Sequence, residues 1–146
     1  MKGEYFNPID IHLTQQAYSI EWLRKKYKAG EIVKSSEWPL NSKSSSIIES
    51  LLIGLLPMPI LLDWRNDKRV NVAVGGERLF SIFGYIDGEF CLEHLDYLEV
   101  INGKFYAEMK PYSQRRITET EIACYIIEPG TPDDVTKNII RRYKNG

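Results

Sequence analysis

Gly75-Gly76-Glu77-Arg78 brings together the residue types of an anion cradle. Residues 69–74, RVNVAV, read as a short buried strand, and residues 77–86, ERLFSIFGYI, as an apolar-faced helix that Asp87-Gly88 ends. The glycine pair permits a tight turn with unusual backbone angles between them. A strand, a glycine turn and a helix N-terminus bring backbone N–H groups together at the positive end of the helix dipole. An arginine adds a fork of donors. The chemistry on offer is the holding of a phosphate or a similar anion, with Gly75, Gly76 and Arg78 as its carriers.

Other groupings carry less. Cys91 and His94 have a C-x-x-H spacing, but a structural zinc site needs four ligands, and only Cys124 and His12 remain as sulfur or imidazole partners, so no metal site is expected. Asp133 and Asp134 stand at a helix start, where they complement the dipole. Arg24, Lys25, Lys26 and Lys28 crowd the last turn of an early helix. They read first as a solvated face and second as a phosphate-contacting patch. Arg115-Arg116 and Arg141-Arg142 would extend such a patch into a DNA-contacting surface. Trp38, set in a polar loop, is the aromatic expected to reach solvent and to anchor an interface. The sequence has no H-x-E, no Ser-His-Asp arrangement that spacing supports and no P-loop lysine.

The elements that must position these residues follow from local signals. Ile9, Ile11 and Leu13 alternate with polar residues in an extended lead-in over residues 1–18. Ser19 caps a helix from Ile20 that Gly30 closes. Residues 31–33 form a short strand, and residues 34–45 a polar loop. Ser46-Ile47-Ile48-Glu49 fits a capping box opening a buried helix over 47–55, which Pro57 and Pro59 stop. Residues 60–64 and 70–74 are strands joined by a turn, hence a hairpin. Asn102-Gly103, between apolar runs at 98–101 and 104–107, is a second hairpin signal. Residues 110–120 read as a polar loop and 121–128 as a strand. Thr131-Pro132-Asp133-Asp134 starts a last helix with an N-cap threonine and an N1 proline. Interleaved helices and strands imply an α+β fold with a mixed sheet.

Composition bounds the rest. The 146 residues suit one domain, and 43% hydrophobic content makes the chain globular. With 19 basic and 20 acidic residues there is no global field to draw in nucleic acid or an anionic membrane. The N-terminus lacks the apolar core of a secretory signal, and the apolar run at 53–62 is too short and too broken to span a bilayer. Two cysteines fit a reducing cytoplasm, with a disulfide between them left open.

Five stretches in order resemble the N-terminal domain of GmrSD-type (type IV) restriction enzymes and related phage-defence proteins. They cover the chain from about Tyr18 to its end. Residues 19–31, SIEWLRKKYKAGE, look like that family's opening helix. Residues 47–59, IIESLLIGLLPMP, look like its LIESLLLGIPIP segment, with one residue inserted. Residues 72–90 look like its V-I-D-G-Q-Q-R-L strand, turn and helix, with the phenylalanine that follows. Residues 98–105 are similar to a segment containing L-N-G-K, and residues 139–146 to its F-x-R-I-N-T-G end.

The resemblance implies a ParB/sulfiredoxin-like fold over residues 1–146 as a single domain, and a nucleotide-binding, hydrolytic site at the D-G-Q-Q-R turn. Only Gly75, Arg78 and Arg142 carry over to that site. Val74 replaces the aspartate, Gly76 and Glu77 replace the glutamines, Lys144 stands where an asparagine is expected, and the upstream F-Q-R element falls near Trp38-Pro39-Leu40 without its glutamine or arginine. Valine neither holds a metal nor orients water, and an ionised Glu77 repels phosphate. The expectation is a cytoplasmic binding or regulatory module with no catalytic residues and no cofactor. It binds nucleotide or phosphate only weakly, through Gly75, Gly76, Arg78 and Arg142, and has a protein partner such as a nuclease or a helical domain. The competing reading is a nucleotide-hydrolysing component of a restriction nuclease.

Overall fold

The apolar triplet Ile60-Leu61-Leu62 is buried on both faces, as the central strand of a two-sided sheet must be. The structure, a computed structural model, describes residues 11–34, 42–66 and 68–145. Its strands are β1 (Leu13–Ser19), β2 (Ile32–Val33), β3 (Ile60–Asp63), β4 (Val70–Val74) and β5 (Glu121–Ile127). Its helices are α1 (Ile20–Lys28), α2 (Ser42–Leu52), α3 (Gly76–Ile86), α4 (Pro111–Thr118) and α5 (Asp133–Asn145). The sheet order is β1-β5-β3-β4-β2. β1 runs antiparallel to β5, β5 parallel to β3, β3 antiparallel to β4, and β4 parallel to β2. The fold is therefore α+β around a mixed five-stranded sheet.

Period-two alternation divides the core. Ile122, Cys124 and Ile126 of β5 share a face with Ile60 and Leu62 of β3, and this face packs against Leu23, Ile48, Leu79, Ile82, Phe83 and Ile117 of α1 to α4. On the other face Leu61 lies beside Tyr125, whose ring meets Tyr143 of α5 edge-on at 5.4 Å.

The hairpin of β3 and β4 forms as read from the sequence, and so does the first helix. The Ser19 side chain accepts the Trp22 N–H at 3.0 Å, and Gly30 follows the helix end at φ +80°. Leu13 enters β1 and Ile11 precedes it, while Ile9 and Trp38 lie outside the described residues.

Five expectations are corrected. First, the capping box at Ser46–Glu49 does not exist, because α2 starts at Ser42 and puts both residues inside the helix. The serines before it are a buried helix face: Ser44 Oγ lies 3.2 Å from Ser81 Oγ, and Ser45 Oγ accepts the Glu93 N–H at 3.1 Å. Second, that helix ends at Gly54 rather than at the prolines. With φ +86°, Gly54 donates to the Leu51 carbonyl while Leu55 donates to the Ser50 carbonyl, a Schellman end. Third, Asn102-Gly103 joins two 3₁₀ turns, Glu99–Ile101 and Tyr106–Glu108, rather than two strands. Its polar groups tie back an earlier loop: Asn102 Oδ1 accepts the Leu95 N–H, and Gly103 donates to the Leu92 carbonyl. Fourth, residues 111–118 are helix α4, with Pro111 at its start, rather than polar loop. Fifth, the hydroxyl of Thr131, expected to cap α5, instead exchanges hydrogen bonds with the backbone of His12.

Candidate functional site

Gly75 sits between β4 and α3 at φ +92°, the left-handed conformation. A Cβ there would lie 2.6 Å from Ile60 Cγ2 and 2.8 Å from Arg78 Nη2, so glycine is required on two counts. The first helical hydrogen bond back to the turn is from Leu79 N–H to the Gly75 carbonyl. The N–H groups of Gly76, Glu77 and Arg78 therefore have no acceptor among the described residues, as the first turn of a helix dictates.

These groups border a groove of about 460 Å³ lined by Lys43, Ile47, residues 72–78 and Lys144. Arg78 crosses behind the turn and donates from Nη2 to the Pro59 carbonyl at 3.0 Å, which fixes its guanidinium against Gly75. Lys43 of α2 stands 3.7 Å from the Glu77 carboxylate. Lys144 reaches the same groove from the end of α5. The groove thus offers an arginine and two lysines against one acid, beside a positive helix end. That arrangement can hold an anion. Val74 contributes only methyl groups to the lining.

The structure brings Gly75, Gly76 and Arg78 together and leaves Arg142 aside. Arg142 Nε donates to Asn138 Oδ1 at 2.7 Å on the exposed side of α5, and Lys144 is the α5 cation at the groove. Sequence reasoning missed Lys43, because the helix that carries it was read as loop. The i, i+4 spacing of Ser44 with Ile48 and Ser45 with Glu49 was the available signal.

The basic run on α1 is engaged within the protein. Arg24 and Lys28 both pair with Asp87 at the C-terminal end of α3, Lys26 pairs with Glu31 at 2.8 Å, and Lys25 lies 3.9 Å from Glu21. Burial raises the Asp87 carboxyl, but the two cations outweigh it and hold it below the usual carboxylate range. Arg115 and Arg116 line a separate surface depression of about 530 Å³ together with Glu119 and Glu121, which offset their charge. Asp133 receives Arg65 at 2.9 Å, and Arg65 also grips Asp63, so the acid joins α5 to the end of β3.

Cys91 and Cys124 are both free thiols. Cys124 is fully buried, and burial pushes its thiol up to about 12, away from nucleophilic use. His94, at φ +55°, is exposed on the loop after Cys91. Glu49, expected to be a capping residue, is 4% exposed and accepts the N–H groups of Asp96 (3.1 Å), Tyr97 (2.7 Å) and Leu98 (2.9 Å). It pins residues 96–98 onto α2.

No family model matches the chain, and no curated protein or solved structure matches it significantly. Among the described residues, no helix is long and apolar enough to cross a membrane.

Proposed function

We propose that this chain is a binding or regulatory module of ParB/sulfiredoxin-like fold whose Gly75 groove holds an anionic group weakly and does not hydrolyse it. The observation that carries the reading is the groove itself. It keeps the glycine turn, the helix N-terminus and Arg78, gains Lys43 and Lys144, and has Val74 where hydrolysis would need a carboxylate. Glu77 opposes an incoming phosphate, and its neighbour Lys43 moderates that opposition. Arg78, fixed on the Pro59 carbonyl, positions the turn as much as it serves a ligand. The stretches that resemble the GmrSD N-terminal domain support the fold reading. They also support a cytoplasmic setting in phage defence or restriction, where the partner is a protein such as a nuclease or a helical domain.

The test is a titration of the ¹⁵N-labelled protein with inorganic phosphate, pyrophosphate and ATP. Anion binding moves the amide resonances of Gly76, Glu77 and Arg78, with saturation, and Lys43→Ala combined with Lys144→Ala weakens it. Unmoved resonances at that turn with all three probes would refute the reading.

A further inference from the structure

β1 forms one edge of the sheet and pairs with β5 along its whole length, from Leu13↔Ile127 to Ser19↔Glu121, without a bulge. Two flanking hydrogen bonds fix which residues face β5: Glu128 N–H donates to the His12 carbonyl at 2.7 Å, and Ile20 N–H to the Thr120 carbonyl at 2.9 Å. Bonded and non-bonded pairs alternate along an antiparallel ladder. Thr14, Gln16 and Tyr18 therefore turn their backbone groups to β5, while Leu13, Gln15 and Ala17 turn theirs outward. Among the described residues nothing bonds to these outward groups.

Exposed edges ordinarily carry a charge, a proline, a bulge or very short length to discourage pairing. β1 has none of these. Its seven residues, LTQQAYS, contain no charge, no proline and no glycine, and residues 13–17 are exposed. The opposite edge, β2, is only two residues long and begins directly after Glu31. Among the described residues the sheet is thus protected on one side and open on the other.

We infer that β1 is a self-association edge that pairs antiparallel with β1 of a second copy, so that one sheet runs through the dimer. The choice of a second copy rests on charge. A two-fold axis sets a patch against its own copy, so a net charge on the patch is repelled by the same charge on the second copy. The whole of β1 is uncharged, and the chain as a whole carries only −1. With the axis at Gln15, that residue exchanges both backbone bonds with Gln15 of the second copy, and Leu13 does so with Ala17. The large Leu13 side chain then lies across from a methyl group, and Thr14 across from Gln16.

Size-exclusion chromatography with light scattering over a concentration series tests this on the wild type, Gln15→Pro and Ala17→Lys. Proline at 15 removes an outward N–H and no bond to β5, and lysine at 17 places a charge in the pairing edge. The expected result is a wild-type mass rising toward twice the 17.0 kDa of the chain, with both variants monomeric and unchanged in circular dichroism. If Gln15→Pro fails to fold, Ala17→Lys decides. Hydrogen exchange gives a second reading: the amides of Gln15 and Ala17 become protected at high concentration in the wild type and stay unprotected in Ala17→Lys. A wild type monomeric at every concentration, or a dimer that survives both substitutions, overturns the inference.

Discussion

Replacing Glu49 tests how the loop that closes over α2 is held. The carboxylate is 4% exposed and receives three backbone N–H groups, from Asp96, Tyr97 and Leu98. A hydrogen bond to a charged acceptor contributes about 1.5–3 kcal/mol, and an orphaned buried donor costs a similar amount. Asp96 and Tyr97 are exposed residues, so water recovers part of that loss in a variant. Glu49→Ala is therefore expected to lose about 2–4 kcal/mol, a large share of the roughly 5–15 kcal/mol that holds a domain together. Glu49→Gln keeps one acceptor oxygen and turns an NH₂ donor toward at least one N–H, for a loss of about 1–3 kcal/mol. Urea denaturation at neutral pH measures both.

The pH dependence separates this account from simple packing. Burial raises the Glu49 carboxyl, but the three backbone donors outweigh it and hold it below its ordinary value. Its contribution is then fully present above the unfolded value of about 4.3 and is lost as pH falls through the lower folded value. The gap between wild type and Glu49→Gln should narrow over that acid window. A Glu49→Ala variant within about 0.5 kcal/mol of wild type, the range of an ordinary surface substitution, would refute the reasoning.

Other outcomes follow from the same structure. Gly75→Ala meets Ile60 and a positive φ together and should cost about 1–3 kcal/mol of backbone strain, read as a lowered urea midpoint. Asp87→Asn removes the negative charge that Arg24 and Lys28 share, and the loss of stability, seen at pH 7, should vanish in acid as the wild-type carboxyl is protonated. Under native conditions Cys91 should react with a thiol reagent far faster than buried Cys124, and the two rates should converge in denaturant.

Local chemistry made part of this fold legible. Ser19 before Ile20 and Gly30 after Ala29 act within one turn of chain, so cap residues alone located α1. The β3–β4 hairpin and the Gly75 turn were legible for the same reason. Where tertiary contacts claimed the same residue types, the reading failed. Ser46 and Glu49 have the spacing of a cap, but the neighbouring serines and Glu49 face inward and bond to α3 and to residues 93–98. Asn102-Gly103 has the composition of a hairpin turn, yet its groups bind Leu92 and Leu95, a partner no local pattern reveals. At the groove, Gly75 and Arg78 were visible because they adjoin in sequence. Lys43 and Lys144 stand far apart in the sequence, and only the packing of α2 and α5 around β4 and α3 unites them.

The central claim is that the Gly75 groove holds an anion without breaking it down. Phosphate release from each of the four nucleoside triphosphates, with magnesium and then with manganese, measures this directly on the purified chain and on Arg78→Ala. The account predicts release at the level of the protein-free control for both proteins. Release by the wild type that Arg78→Ala abolishes would contradict it and establish the groove as a hydrolytic site.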